Sequence, residues 1–160
     1  KHFQQRAKEL GLGEYEVLTL ASIVEKETGA DSDRPKIASV FHNRLKLRMR
    51  LDSDPTVIYG LKNFNGNLTR KHLRERTPYN TYKRYGLPPT PITSPGKASL
   101  QSVLYPAENK FLYFVARGDG SSKFSKTLRE HNKAVWYFQK VRKNRKAMSR
   151  KRKQASSAKL

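Results

Sequence analysis

LASIVEKETGADSDRPKIASVFHNRL, residues 20–45, reads as two helices joined by a short acidic loop. The first helix starts near residue 14 and ends near 28. The second is capped by Asp31 or Asp33, has Pro35 in its first turn, and runs to about Leu47. Two glutamates, Glu25 and Glu27, stand at the end of the otherwise apolar first helix, and the helical repeat separates them. At about 100° per residue, with Leu20 at 0°, Val24 falls near 40°, Val17 near 60° and Ile23 near 300°. On that wheel Glu27 falls near 340°, within the apolar arc, whereas Glu25 lies near 140° and Lys26 near 240°.

A carboxylate on an apolar face loses hydration, so its acid form is favoured. A carboxyl that stays protonated near neutral pH is what a general acid requires. The pattern also permits a plainer reading, in which Glu27 sits in a last turn that has already left the core. No second carboxylate is evidently paired with it. Asp52 and Asp54 are the nearest candidates, and Asp54, just before Pro55, is well placed to cap the next helix.

Outward from this pair the chain is mostly helical. KHFQQRAKELGLG is a short leading helix stopped by Gly11 and Gly13. DSDPTVIYGL and LTRKHLRE are two more short helices, the latter capped by Thr69. Residues 77–96 hold five of the eight prolines and three of the eight tyrosines, which predicts an ordered loop and not a regular element. KASLQSVLYP returns to helix. KFLYFVARGDGSSKFSKT has two aromatic-rich runs flanking a Gly-Asp-Gly-Ser-Ser turn and predicts a β-hairpin. A final helix is capped by Thr127, and the tail from 143 to 160, where apolar residues run out, is expected to be disordered.

The 160 residues suffice for one domain with a core, here placed at 14–142, with 1–13 as a linker helix left from a preceding region. The net charge is +21. Ten Lys/Arg and no acidic side chain lie in 140–160, which leaves 24 basic against 13 acidic side chains in 1–139. A surface this basic attracts polyanions: nucleic acid, anionic lipid or acidic wall polymer. Without cysteine there are neither disulfides nor thiolate metal sites. No stretch is apolar enough to span a membrane and no signal peptide is visible. The chain begins with Lys, and the expectation is a fragment whose anchor lies outside it.

VEKET (24–28), SVFHNRL, RLDSDPTVIYG, YNTY, GLPPTPITSPG, LYFVARGDGSSKFS and EHNKAV occur in this order between residues 14 and 138. Together they resemble the endolytic murein transglycosylases of the MltG or YceG-like family. The resemblance implies an α+β, mainly helical fold with a lysozyme-like, goose-type core and a small hairpin. It implies internal cleavage of peptidoglycan glycan strands between N-acetylmuramic acid and N-acetylglucosamine, leaving 1,6-anhydro ends. It also implies a domain facing the wall from a cytoplasmic-membrane anchor, with cell-wall synthases as partners, no cofactor or metal and no specific nucleic acid. The family's catalytic glutamate aligns with Glu27, in agreement with the wheel, and Thr28 takes the position of the serine that follows the glutamate in other lytic transglycosylases. Glu25 is the runner-up. The tail lies outside the family pattern, and its charge suits anionic lipid or wall polymer.

Around Glu27 the candidate substrate-binding residues are Thr28, Asp54, Thr56, Tyr79, Asn80, Thr81, Tyr82, Phe124 and Asn132. Tyrosines can stack on sugar faces and still donate hydrogen bonds, and Asn80 and Thr81 can read acetamido or hydroxyl groups. Tyr79 and Tyr82 fit equally a role in packing the Pro-rich loop, and Tyr85 and Tyr59 read as structural. Asn80, polar between tyrosines, is a poor core residue and reads as functional. Phe111, Tyr113 and Phe114 read as core, Phe124 as either, and His131 as a surface or capping residue. The competing readings are a basic nucleic-acid-binding module and a non-catalytic wall-binding domain of the same fold.

Overall fold

A computed structural model describes residues 2–158. Its centre is α2 (Glu14–Glu27), whose Val17, Leu20, Ala21, Ile23 and Val24 are all fully buried. The helix starts after Gly13, whose N–H donates to the Glu16 carboxylate at 3.1 Å. It ends at Thr28, whose N–H and hydroxyl both bond to the Val24 carbonyl, so one turn-end oxygen is satisfied twice. A single 3-10 turn (Asp31–Asp33) leads into α3 (Arg34–Lys46), with Pro35 in the first turn where its missing N–H costs nothing. α3 lays Ile37, Ala38, Val40 and Phe41 against α2. α6 (Lys97–Leu104) closes the three-helix body with Val103 and Leu104. Each such buried Leu, Ile or Phe contributes about 1.5–3 kcal/mol relative to an exposed one.

The leading helix, α1 (His2–Glu9), is packed on this body and is no free linker. Ala7 is in the core, Phe3 packs against it, and the Arg6 Nε donates to the Leu104 carbonyl at 2.7 Å. Two short helices, α4 (Asp54–Tyr59) and α5 (Arg70–Arg74), precede the Pro-rich loop, which contains no regular element between Glu75 and Gly96. The loop is nonetheless fixed: Ile92 is buried, and its N–H donates to the Ser22 hydroxyl at 3.0 Å.

The expected hairpin is present as β1 (Tyr113–Ala116) and β2 (Ser122–Ser125), paired antiparallel with Phe114 opposite Phe124. It is pinned to the body by the Asp33 carboxylate, which accepts from the Ser122 N–H at 2.8 Å. Asp33 therefore anchors a strand and does not cap α3. Gly29 meets the Gly120 carbonyl so closely that a Cβ would collide with that oxygen, which requires glycine at 29.

The last helix, α7, runs from Leu128 to Ser157 as one element of 30 residues. The sequence reading expected disorder from 143, and this is corrected: the helix passes through the whole basic stretch. Absence of an apolar stripe was the wrong criterion there. Lys, Arg, Gln, Ala and Met are all good helix formers, and no Gly or Pro occurs between Leu128 and Ser157. Of the expected tail, only 159 and 160 lie outside the described residues.

Candidate active site

The end of α2, the start of α4, α3 and the hairpin enclose a cleft of about 560 Å³. Glu27 stands in it, partly buried, open to the cleft and otherwise enclosed by protein. Its Oε1 accepts a hydrogen bond from the Ser53 hydroxyl at 2.9 Å. Ser53 is itself immobilised. Its N–H donates to Thr81 Oγ1 at 2.9 Å, its carbonyl accepts from Thr56 Oγ1 at 2.7 Å, and the two threonine hydroxyls are 2.8 Å apart. All three residues are buried, so the Glu27 carboxylate is held by a closed hydroxyl network.

Burial pushes the Glu27 carboxyl up to about 7; the Ser53 hydrogen bond opposes this, and the nearby Asp54 charge adds to it. Half of such groups are protonated at neutral pH, so one carboxyl can both give and take a proton there.

Glu25 has different work. Its Oε1 accepts from the Gly96 N–H at 2.7 Å, at the residue that starts α6. A carboxylate at a helix N-terminus meets both an unpaired donor and the positive end of the helix dipole. The two glutamates are two residues apart, and they serve opposite sides of α2.

Asp54, the first residue of α4, also lines the cleft, and its carboxylate accepts from the Tyr82 hydroxyl at 2.7 Å. Burial, with Asp54 beside it, raises the Tyr82 phenol well above its usual range. Tyr82 thus remains a neutral donor. The opposite wall is built by β1 and the first turn of α7, with Leu128, His131 and Asn132. Arg44 ties the two walls: its Nε donates to the Leu112 carbonyl at 2.7 Å and its Nη1 to the Arg50 carbonyl at 2.9 Å. Its guanidinium lies 5.0 Å from the Tyr113 ring centre, and the His131 ring stacks on the same Tyr113 ring, centres 5.1 Å apart. Burial, and secondarily Arg44, lower the His131 imidazole, which keeps it neutral. Asp52 sits on the rim in a left-handed conformation, φ 50°, and burial raises its carboxyl despite an Arg44 contact at 3.5 Å.

Of the residues expected from the sequence, Glu27, Asp54, Tyr82 and Asn132 come together in the cleft. Thr56 and Thr81 lie behind it in the network that holds Ser53. The others are elsewhere. Thr28 spends its hydroxyl on the end of α2. Tyr79 packs on Tyr59, ring centres 4.8 Å apart, and bonds Thr90 Oγ1 at 2.8 Å. Phe124 is a core residue between Phe111 and Phe114. Asn80 is fully buried: its amide donates to the Leu73 and Glu75 carbonyls, and its oxygen accepts from the Tyr82 N–H at 2.9 Å. It shapes the loop that delivers Tyr82 and touches no cleft surface. A polar residue suits a core position when every one of its hydrogen bonds is made.

Ser53, Arg44, Tyr113 and Ser122 escaped the sequence reading as site residues, and His131 was read as peripheral. Ser53 lies within the DSDPTVIYG motif, but a contact 26 positions away leaves no periodic trace. Among the described residues, no group of three His, Asp or Glu side chains is arranged to hold a metal ion.

Residues 1–136 match the YceG-like family. The endolytic murein transglycosylase of Bacillus subtilis (strain 168) is 43% identical over 132 residues, 82% of this chain and 37% of that protein. The protein of the same name from Streptococcus pneumoniae serotype 2 is 34% identical over 126 residues, 75% of this chain and 23% of that one. The crystal structure of a yceG-like protein from Listeria monocytogenes is 45% identical, with a TM-score of 0.74, over 82% of this chain and 42% of that one. The chain spans less than half the length of each.

Proposed function

The chain belongs to the YceG-like family, and we propose that it is the cleavage module of an endolytic peptidoglycan lytic transglycosylase. Its substrate is then the glycan strand, and the bond cut is the β-1,4 link from N-acetylmuramic acid to N-acetylglucosamine. The observation that carries this reading is one carboxyl, Glu27, raised to about 7 in an open cleft and held at fixed geometry by Ser53.

In the proposed reaction, protonated Glu27 donates to the glycosidic oxygen as the bond to C1 breaks. Positive charge develops on the muramyl ring, and Asp54, which also lines the cleft, is placed to favour it. Glu27, now a carboxylate, accepts the proton of the C6 hydroxyl as that oxygen bonds to C1. The products are a 1,6-anhydro-muramyl end and a free 4-hydroxyl, with Glu27 protonated again. A two-carboxylate hydrolase would also need a water-activating base. The lysozyme-like description of the helical body, a place at the outer face of the cytoplasmic membrane and a role in terminating nascent strands beside cell-wall synthases belong to the same proposal. What supports the fold description is α2 ending in its glutamate beside a hairpin-walled cleft.

The test is digestion of purified peptidoglycan by the chain and by Glu27→Gln, with products read by mass spectrometry. Anhydro ends from the parent alone are expected. Reducing ends would make the enzyme a hydrolase, with Asp54 the first base to examine. Strand binding without cleavage by either protein would favour a wall-binding domain.

A further inference from the structure

α7 outruns the body on which it packs. Its packed side is marked by the buried Ala134, the half-buried Phe138 and Val141, and Arg142, whose Nη2 donates to the Ala116 carbonyl at 3.0 Å. From Lys143 to Ala158 every residue is exposed. Nine Lys/Arg and no acidic residue occur between 140 and 153. Because this stretch is helical, those charges have fixed directions. At about 100° per residue, Arg142, Lys143, Arg145, Lys146, Arg150, Arg152 and Lys153 fall within one half of the helix surface. The other half carries Trp136, Tyr137, Ala147, Met148 and Ala155, with Lys140, Asn144, Lys151 and Gln154 among them.

Trp136 is the only tryptophan of the chain, and it is 63% exposed, its face of the helix left open by the described residues. Tyr137 and Met148 are exposed beside it along the same face. The Lys140 ammonium lies 5.0 Å over the Trp136 ring centre. A soluble polyanion is served by charge alone and gives no reason to segregate an exposed Trp, Tyr and Met from seven basic side chains. A bilayer surface does. Trp and Tyr settle at headgroup depth, lysines between them lay their stems on the apolar zone and keep their ammonium groups at the phosphates, and the basic half meets the negative surface potential.

We propose that the exposed half of α7 beyond the body is a docking surface for an anionic phospholipid membrane, which it meets as an interfacial helix. The apolar half is narrow and interrupted by two lysines, so insertion is shallow and the affinity depends on charge. It therefore falls as salt rises.

The single tryptophan provides the readout. The full chain is titrated with vesicles of phosphatidylcholine alone and of phosphatidylcholine with phosphatidylglycerol, near physiological salt, following Trp136 emission and co-sedimentation. The expected result is binding to the mixed vesicles only, with a blue shift of Trp136. The variant Lys143→Gln, Lys146→Gln, Arg150→Gln, Lys153→Gln keeps good helix formers at exposed positions far from Glu27. Its partition coefficient should fall by roughly 100-fold or more, from about fivefold per basic side chain. Binding that survives those four changes would overturn the proposal. So would binding without a blue shift, which would mean a purely ionic cloud, or a preference for duplex DNA or polyphosphate over the mixed vesicles. Peptidoglycan cleavage by the same variant should be unchanged on soluble fragments, which separates failure here from failure of the enzymatic reading.

Discussion

The Ser53 hydroxyl donates to Glu27 at 2.9 Å, while Asp54, the next residue in the chain, presses the same carboxyl in the opposite electrostatic sense. One neighbour favours the ionised form and the other disfavours it. Ser53→Ala should therefore raise the Glu27 pKa further and move the alkaline limb of the kcat/KM profile to higher pH. Asp54→Asn should lower it and move that limb to lower pH. Opposite displacements are the expected outcome, and displacement of both limbs in one direction would contradict the assigned geometry. Each variant should also lose roughly 10-fold or more in kcat, since both disturb groups aimed at the reacting bond.

Glu27 also links pH to stability. Its carboxyl titrates near 4.5 in an unfolded chain and at about 7 in the folded one. The native state thus binds more protons between those values, and the stability it gains at low pH is lost as pH rises from about 4.5 through about 7. Glu27→Gln removes this dependence. It should be more stable than the parent at pH 8, by up to about 3 kcal/mol, and the difference should shrink toward pH 5. Urea unfolding across that range measures it. An enzyme that becomes more stable when its acid is removed carries the strain of its site in its own folding free energy.

Glu25→Ala tests the division between the two glutamates. It deletes the partner of the Gly96 N–H at the start of α6, and should cost roughly 1 kcal/mol of stability with kcat preserved at temperatures where the chain is folded. A loss of cleavage comparable to that of Glu27→Gln, in a folded protein, would reverse the assignment.

Asn80→Ala removes donors from the Leu73 and Glu75 carbonyls and an acceptor from the Tyr82 N–H. Each buried group left unpaired costs about 1–3 kcal/mol, so a clear drop in the unfolding midpoint is expected. KM for glycan fragments should change little at temperatures where the variant is folded. A folded variant with weakened substrate binding and undiminished stability would restore the side chain to the sugar site.

That Glu27 and not Glu25 faces the cleft was legible because it depends only on helical periodicity within one element, and the hairpin because its turn chemistry is local. The cleft was only half legible. Tyr82 and Asp54 stand in recognisable motifs, yet their hydrogen bond joins positions 28 apart, as the Ser53 contact joins positions 26 apart. Such pairings are made by tertiary closure and leave no mark on local spacing. Asn80 and Phe124 misled for a related reason. Polarity suggested exposure for the one, and aromatic character suggested a sugar platform for the other, but buried hydrogen bonds and ring packing decided both. In α7, the lack of an apolar stripe was read as lack of structure, although backbone propensity and unbroken helix-forming residues were enough.

α7 has one more property. With 30 residues and neither Gly nor Pro, it is a rod of about 45 Å with no hinge along its length. Leu128, His131 and Asn132, in its opening turns, form one wall of the cleft. A tilt imposed at the far end is therefore delivered undiminished to that wall. Whatever grips the distal turns sets the heading of the cleft, and under the proposed function it selects which run of a taut glycan strand can be drawn across Glu27.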